Sequence, residues 1–323
     1  MKIGFYIKWD KFSLSSSRNV VGDELWGESL CKAINKQYKD IKAELYAPNY
    51  LPKNKLDLMI YLNDTRPNEN FASRHILYLQ NGYGDKAERL IEKMVKNNYD
   101  GYVFFSNRLK EIFDKKYETK ESLYLPFGVD TEIFSPQKYN SSYDFDCSYI
   151  GNDIKGEDAT MKYLYPAKDF DFGLFGNWKP SLHRRKFWKN FERKAPYEKL
   201  FNKLSKGRVP QEEVPTLYSS SKINLNFTLQ SCIDWDVITL RTYEVLACKG
   251  FLITDIVPSA KATMSECMVF TAGNDDLKEK IIYYLDNEKE RNKIAQNGYE
   301  YVVKFASIDS RASKLINYIK KEL

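Results

Sequence analysis

Residues 234–255 read DWDVITLRTYEVLACKGFLITD. Over about 239–248 the segment reads as a helix that is apolar almost all round; Gly250 ends it, and 251–254 follow as an apolar strand. A helix of that kind is buried, so Glu244, between Leu240 and Cys248 on one face, is a carboxylate removed from water. Burying it without hydrogen bonds would cost roughly several kcal/mol, so a ligand hydroxyl or a neighbouring Arg is expected beside it. Arg241, or the cap of a neighbouring loop, would satisfy it within the chain. Asp236 opens a second reading. It stands eight residues before Glu244, just ahead of the helix start, where free N–H groups and the positive end of the helix dipole favour a phosphate. The two carboxylates would then bracket an anion site.

The alternation of strand and helix continues in both directions. Downstream, amphipathic helices are expected over 276–286 and 288–303. Upstream lie strands at 147–150, 172–175 and 222–227; in the last, Ile223, Leu225 and Phe227 share a face while Asn224 and Asn226 look the other way. Residues 135–143, SPQKYNSSY, break the pattern and read as a linker. Before them, strands at 2–9, 43–46, 56–61, 75–79, 101–105 and 122–125 are interleaved with helices at 22–37, 87–96 and 108–115. The fold class is therefore α/β, with doubly wound parallel sheets in two domains, 1–138 and 139–323, the last helix being free to pack back on the first domain. Open sheets bind ligands beyond the carboxyl ends of their strands, so a cleft between two such domains is the expected site.

Composition limits the partners. With 43% hydrophobic and 15% aromatic residues, 323 residues can bury two cores without disulfides or metals. No run approaches the roughly 18 apolar residues of a membrane span, and the opening MKIGFYIKWDKF lacks a secretion signal, so the cytoplasm is the expected location. Five scattered cysteines without a CxxC pair read as reduced core residues. The net charge of +6 favours nucleotides, phosphates or acidic headgroups; without a basic stripe or zinc-finger spacing, nucleic acid is not an expected partner. The basic helices at 86–96 and 108–116 permit peripheral contact with the inner face of a membrane, or form a solvated charged face. The sequence does not specify an oligomeric state.

Across its last 180 or so residues the chain resembles the group 1 superfamily of GT-B glycosyltransferases, in the spore maturation protein (CgeB-like) branch. The resemblance is carried by DFDCSYIGN (144–152), FGLFGNW (172–178), GRVPQEEVPTLYSSSKINLNFT (207–228), RTYEVLACKGFLITD (241–255) and the tail from 275 to 303; LPFGVDTEIF (125–134) resembles the segment with which the superfamily leaves its N-terminal domain. It implies two Rossmann-like domains facing across a cleft, and transfer of a sugar from a UDP-, GDP- or similar donor to a glycan, lipid-linked or protein acceptor, with retention and without a cofactor. In that family two acidic residues separated by seven others mark the donor site. By resemblance Glu244 takes the ribose and Asp236 the sugar, although Glu is usual at the position of Asp236. Basic residues after the first strand of the second domain meet the diphosphate: Lys155, with Lys162 and Arg241 as further candidates. Gly151 and Asn152 would let the backbone approach the phosphates, Thr239 opens the helix that carries Glu244, and Arg208, Val209, Trp178 and Lys179 would line the end that holds the base. Lys249 stands where the family usually has Gly, and would either add charge near the phosphates or point to solvent.

On the acceptor side, Gly22 lies at the start of the first helix, while Gln80, Asn81, Ser106 and Asn107 follow strand ends, where they would recognise hydroxyls or cap loops. His75 begins its strand and reads as structural. The triplets DFD at 144 and 169 and DWD at 234 invite a metal reading, but alternation along a strand edge turns both carboxylates of the first two to one solvated face, and no metal is expected. A non-catalytic nucleotide or sugar binder of the same shape is the alternative, which donor hydrolysis would exclude. A dinucleotide oxidoreductase is disfavoured, since no GxGxxG follows the first strand.

Overall fold

The computed structural model describes residues 1–12, 22–80, 84, 86–117, 122–178 and 196–322. The chain forms two compact units, the first made of Met1–Asp130, Gln230–Ile238 and Lys304–Leu323, the second of Thr131–Leu229 and Thr239–Val303. Unit 1 carries β1 (Lys2–Tyr6), α1 (Gly22–Gln37), β2 (Lys42–Tyr46), β3 (Leu56–Tyr61), β4 (Ala72–Leu79), α2 (Ala87–Val95), β5 (Gly101–Phe104), α3 (Asn107–Lys116) and β6 (Ser122–Tyr124). Its sheet runs β2-β1-β3-β4-β5-β6, all pairs parallel. Unit 2 continues with β7 (Cys147–Ile150), α4 (Glu157–Leu164), β8 (Phe172–Phe175), α5 (Pro196–Leu204), α6 (Val214–Ser220) and β9 (Ile223–Asn226). After α7 (Gln230–Asp234) come α8 (Leu240–Ala247), β10 (Leu252–Thr254), α9 (Pro258–Thr263), β11 (Val269–Phe270), α10 (Asn274–Asp286), α11 (Glu288–Tyr301) and α12 (Ile308–Glu322). The second sheet runs β11-β10-β9-β7-β8, again parallel.

The expected linker at 135–143 is tied down: the Gln137 and Asn140 amides donate to the Ser219 and Ser220 hydroxyls at the end of α6, both at 3.0 Å. Its polar residues serve local hydrogen bonds, and the division of units falls at Asp130/Thr131 instead of 138/139. A π-helical turn at Val302–Ala306 precedes α12, which joins unit 1. There the Val129 amide donates to the Ala306 carbonyl at 3.0 Å and Ile308 N–H to Val129 at 2.8 Å. In β9 the face bearing Asn224 and Asn226 is buried too, at 1% and 3% exposure. Asn224 accepts from the Ser148 hydroxyl at 3.0 Å and donates to the Tyr218 carbonyl at 3.0 Å, so these amides pin neighbouring elements to the sheet.

Candidate functional site

In unit 2 the strand order reverses between β7 and β9, which opens a crevice beyond their carboxyl ends. The loop that follows β7 forms one wall and is braced from the side. Gly151 N–H donates to the Phe175 carbonyl at 2.9 Å, the Asn152 side-chain oxygen accepts from Asn177 N–H at 2.8 Å, and Gly176 N–H reaches Gly207 at 2.7 Å. Gly176 has φ +128°, and a Cβ there would lie 2.1 Å from the Gly151 carbonyl oxygen, so only glycine lets these loops meet. Gly151, Asn152 and the segment with Arg208 and Val209 thus come together, Arg208 exposed and Val209 half-buried. Trp178 departs from expectation. It is 3% exposed, its indole N–H bonds the Phe175 carbonyl at 3.3 Å, and its ring packs on Tyr149 and Phe201, so it buttresses the site from the core and does not line it. Lys179 lies outside the described residues.

Lys155 reaches back into the crevice. Its ammonium donates to the Tyr149 hydroxyl at 3.0 Å and to the Phe227 carbonyl, and sits 3.9 Å from the centre of the Phe227 ring. The same peptide group donates from its other end: Thr228 N–H bonds Asp255 at 2.7 Å. Asp255, 1% exposed, also accepts from the Thr228 and Thr254 hydroxyls, each at 3.0 Å. Burial raises its pKa against those hydrogen bonds and the charge of Lys155. One peptide therefore bridges a cation and a buried carboxylate, each polarising it for the other. Lys162 is exposed, its ammonium 5.2 Å from the Tyr163 ring, which stacks on Phe227, so it stands one aromatic layer further out.

From α8 come the remaining charges. Arg241 donates to the Asn226 side chain at 3.0 Å and lies 5.5 Å from the Tyr149 ring centre. Burial works against its charge, but Tyr149, Tyr218 and Glu244 around it leave its pKa raised. Glu244, half-buried by its surface, is pushed up to about 7 by desolvation, which outweighs the nearby Arg241. Among the described residues the Arg241 charge is its partner, and no donor hydrogen-bonds its carboxylate. At the helix start, the buried Thr239 hydroxyl likewise lacks a partner among the described residues. The site thus offers cations, an open helix N-terminus and an unoccupied acceptor: the groups that a nucleoside diphosphate requires.

Asp236 packs differently. Its segment belongs to unit 1, where the Ser106 hydroxyl donates to the Trp235 carbonyl at 2.5 Å and Arg108 bonds the Asp234 carbonyl and lies over the Trp235 ring at 5.1 Å. Asp236 ends α7 with φ +56°, its N–H bonding Ile233 at 3.0 Å while Val237 bonds Cys232 at 2.8 Å: a Schellman stop whose left-handed residue is usually glycine. Lys249 holds the matching position after α8, with φ +56° and with Lys249 and Gly250 N–H bonding Leu246 and Val245, both at 3.0 Å. That explains why glycine suits this place. Lys249 is exposed at the carboxyl end of α8, while Thr239 and Arg241 stand at the amino end.

On the acceptor side, Gly22 opens α1, and Gln80 is 4% exposed with neither end of its amide partnered among the described residues. Ser106 is the cap of α3, accepting from Leu109 N–H at 3.2 Å, and Asn107 donates to Glu111 at 2.6 Å. The capping reading holds for Ser106; Asn81 lies outside the described residues. His75 is buried and bonds the Tyr61 hydroxyl at 3.2 Å, a structural role. The DFD triplets are ion-paired, Asp146 to Lys222 and Asp169 to Lys168 and Lys278. Sequence reasoning missed Asp255, Tyr149 and Asn226. The signal was there for Asp255, a carboxylate closing the apolar strand FLIT.

Residues 160–317 match the protein family described as glycosyl transferase-like. Spore protein CgeB of Bacillus subtilis is 33% identical over 201 residues; the match covers 59% of this chain and 59% of that relative's length. Sucrose-phosphate synthase of Thermosynechococcus elongatus superposes with a TM-score of 0.69 at 12% identity, covering 99% of each chain. Anabaena HepE in complex with UDP and glucose gives 0.63 at 11% identity, again over 99% of each. The resemblance to CgeB-like GT-B proteins read from the sequence is borne out. Over residues 160–317 the chain is similar to the glycosyl transferase-like family, and its two parallel α/β sheets are those of the GT-B fold.

Proposed function

We propose that this protein transfers a sugar from a UDP- or GDP-linked donor to a glycan, lipid-linked or protein acceptor, with retention and without a metal ion. The observation that carries the reading is Glu244, a half-buried carboxylate with no hydrogen-bond donor among the described residues, on the helix that also carries Arg241, which lies with Lys155 against Tyr149. Ribose hydroxyls would supply the missing donors. The diphosphate would meet the α8 amides, the Thr239 hydroxyl, Arg241 and Lys155, whose fixed charges stabilise the negative charge that grows as the donor's glycosidic bond breaks. Asp236 is assigned to the sugar, and unit 1 to the acceptor. UDP is bound by HepE in its solved complex, which makes UDP-sugars the first donors to try.

A thermal-shift panel of nucleotide sugars tests the reading: the true donor, at about 100 times its dissociation constant, adds about 2.7 kcal/mol of stability. The stabilisation should fall to about half or less in Glu244→Gln. No shift with any donor in the parent would overturn it. Transfer should proceed unchanged in EDTA; complete loss restored by manganese would refute the assignment of the diphosphate to Lys and Arg.

A further inference from the structure

Asn224 and Asn226 stand on one buried face of β9, yet their amides go to different kinds of partner. Those of Asn224 are scaffold: it accepts from the Ser148 hydroxyl at 3.0 Å and donates to the Tyr218 and Phe251 carbonyls at 3.0 and 3.3 Å. Asn226 instead takes a cation of the crevice. Its side-chain oxygen accepts from Arg241 at 3.0 Å, and its NH2 group donates to the Thr254 hydroxyl at 3.4 Å, with the Thr242 hydroxyl at 3.5 Å. Thr254 continues the chain, since the same hydroxyl donates to Asp255 at 3.0 Å.

The chain has one direction. From Arg241 through Asn226 and Thr254 every donor points toward Asp255, so each dipole polarises the next and strengthens the bond that holds the guanidinium. Lys155 is tied to the same carboxylate by a second route: its ammonium donates to the Phe227 carbonyl, and Thr228 N–H, at the other end of that peptide, donates to Asp255 at 2.7 Å. Tyr149 closes the ring, its hydroxyl accepting from Lys155 at 3.0 Å while Arg241 lies 5.5 Å from its ring centre. Both cations are thus referred to one buried anion through neutral groups. A neutral bridge fixes where the Arg241 charge sits without cancelling it. Glu244, one turn further along α8, acts on that charge but makes no hydrogen bond to it among the described residues. A carboxylate in place of the Asn226 amide would keep the geometry and cancel the charge.

We propose that Asn226 is a positioning residue for the donor diphosphate, orienting Arg241 and, through Thr254 and Asp255, joining it to Lys155 as one preassembled pair of cations. This rests on the assignment of those cations to the diphosphate under the function proposed above. Calorimetry of the full chain with UDP and with GDP, alongside donor kinetics and melting temperatures, tests it. Asn226→Ala should raise the dissociation constant of the diphosphate that the parent binds by about ten-fold or more, and raise the donor KM more than it lowers turnover. In an Arg241→Ala background the same substitution should add less than about two-fold, because Asn226 acts through that guanidinium. Asn226→Asp separates positioning from packing: it keeps the shape and the acceptor, so the melting temperature should hold, yet affinity should fall at least as far as in Asn226→Ala. Asn224→Ala is the scaffold counterpart, and should lower the melting temperature while leaving the dissociation constant, measured well below that temperature, unchanged. Parent-like affinity in Asn226→Ala and Asn226→Asp, or a loss that adds in full to that of Arg241→Ala, would overturn the proposal and reduce Asn226 to a second Asn224. A parent that binds neither diphosphate would overturn the reading of the crevice itself, and this proposal with it. A parent that binds one of them, with Asn226 variants that bind it equally well, overturns this proposal alone.

Discussion

The crevice beyond β1 and β3 in unit 1 and the one beyond β7 and β9 in unit 2 arise from the same strand order, yet they are furnished differently. In unit 1 the charges at the crevice, Lys8 and Asp64, pair with each other at 2.9 Å with 47% and 21% of their side chains exposed, an interaction contributing about 0–1 kcal/mol. The buried polar groups near those strand ends are the neutral amides of Asn63 and Gln80 and the side chain of Glu24 in the first turn of α1, which accepts from Phe12 N–H at 3.1 Å. In unit 2 the charges are the buried part: Asp255 beneath the Phe227–Thr228 peptide, with Arg241 and Glu244 half-buried on α8. The shared strand order therefore leaves function to the side chains at the strand ends. Fixed buried charge suits a phosphate, and neutral amides suit hydroxyls.

The largest expected effect breaks the charged network of unit 2. Lys155→Ala should lower turnover by roughly 100-fold or more while leaving nucleoside diphosphate affinity nearly intact, because its charge matters most as the leaving group forms. Asp255→Asn should act through Lys155, by releasing the peptide that both of them hold. In a double-mutant cycle the pair should then lose little more turnover than Lys155→Ala alone. Additive losses would make Asp255 a separate structural post, and normal turnover in Lys155→Ala would move the role to Lys162 or Arg241. Asp236→Asn should also cut transfer by about 100-fold with diphosphate affinity unchanged.

Next in size is Glu244→Gln, which should weaken diphosphate binding by about 1.5–3 kcal/mol, the range for hydrogen bonds to a charged group. The pH dependence sharpens this. Burial raises the Glu244 pKa from 4.5 to about 7, so the folded state holds the proton more tightly than the unfolded chain. The associated stability is full below about pH 4.5 and lost as pH rises through about 7. Ribose hydroxyls prefer the ionised carboxylate, so diphosphate affinity should increase over that window in the parent and stay flat in Glu244→Gln. A flat parent profile by calorimetry would remove Glu244 from the ligand. The buried amide of Gln80 in unit 1 predicts a contrary response. Gln80→Leu, which removes an amide without a partner among the described residues, should raise stability by about 1 kcal/mol and raise the acceptor KM.

How much of this was legible in the sequence follows from the same contrast. Apolar runs such as CSYI and FGLF announced buried parallel strands directly, and both appear with the expected bounds. The acidic pair was legible as spacing, but not its packing: Asp236 sits with unit 1 and Glu244 with unit 2, a division that tertiary contacts decide. Trp178 misled because an aromatic after a strand end reads equally as a base platform or as core. Asp255 was overlooked because one carboxylate at the end of an apolar strand gives no sign of the peptide it holds. Short elements such as β11 and α7 have too few residues for a period to show.

The smallest effect concerns the two helix stops, one in each unit. Asp236 and Lys249 both occupy left-handed positions at φ +56°, which cost an ordinary L-residue about 1–2 kcal/mol, while Asp tolerates them better than most. Lys249→Gly should therefore raise stability by up to about 1 kcal/mol, after the extra entropy that glycine brings to the unfolded chain. Asp236→Gly should gain less. Lys249 is exposed at the end of α8 remote from Thr239 and Arg241, so its replacement should leave turnover untouched, whereas Asp236→Gly should lose transfer as Asp236→Asn does. Chemical denaturation and a transfer assay on the two variants separate these outcomes. A large loss of turnover in Lys249→Gly would place its ammonium in the reaction after all, and a gain in Asp236→Gly as large as that in Lys249→Gly with full activity would reduce Asp236 to a helix stop.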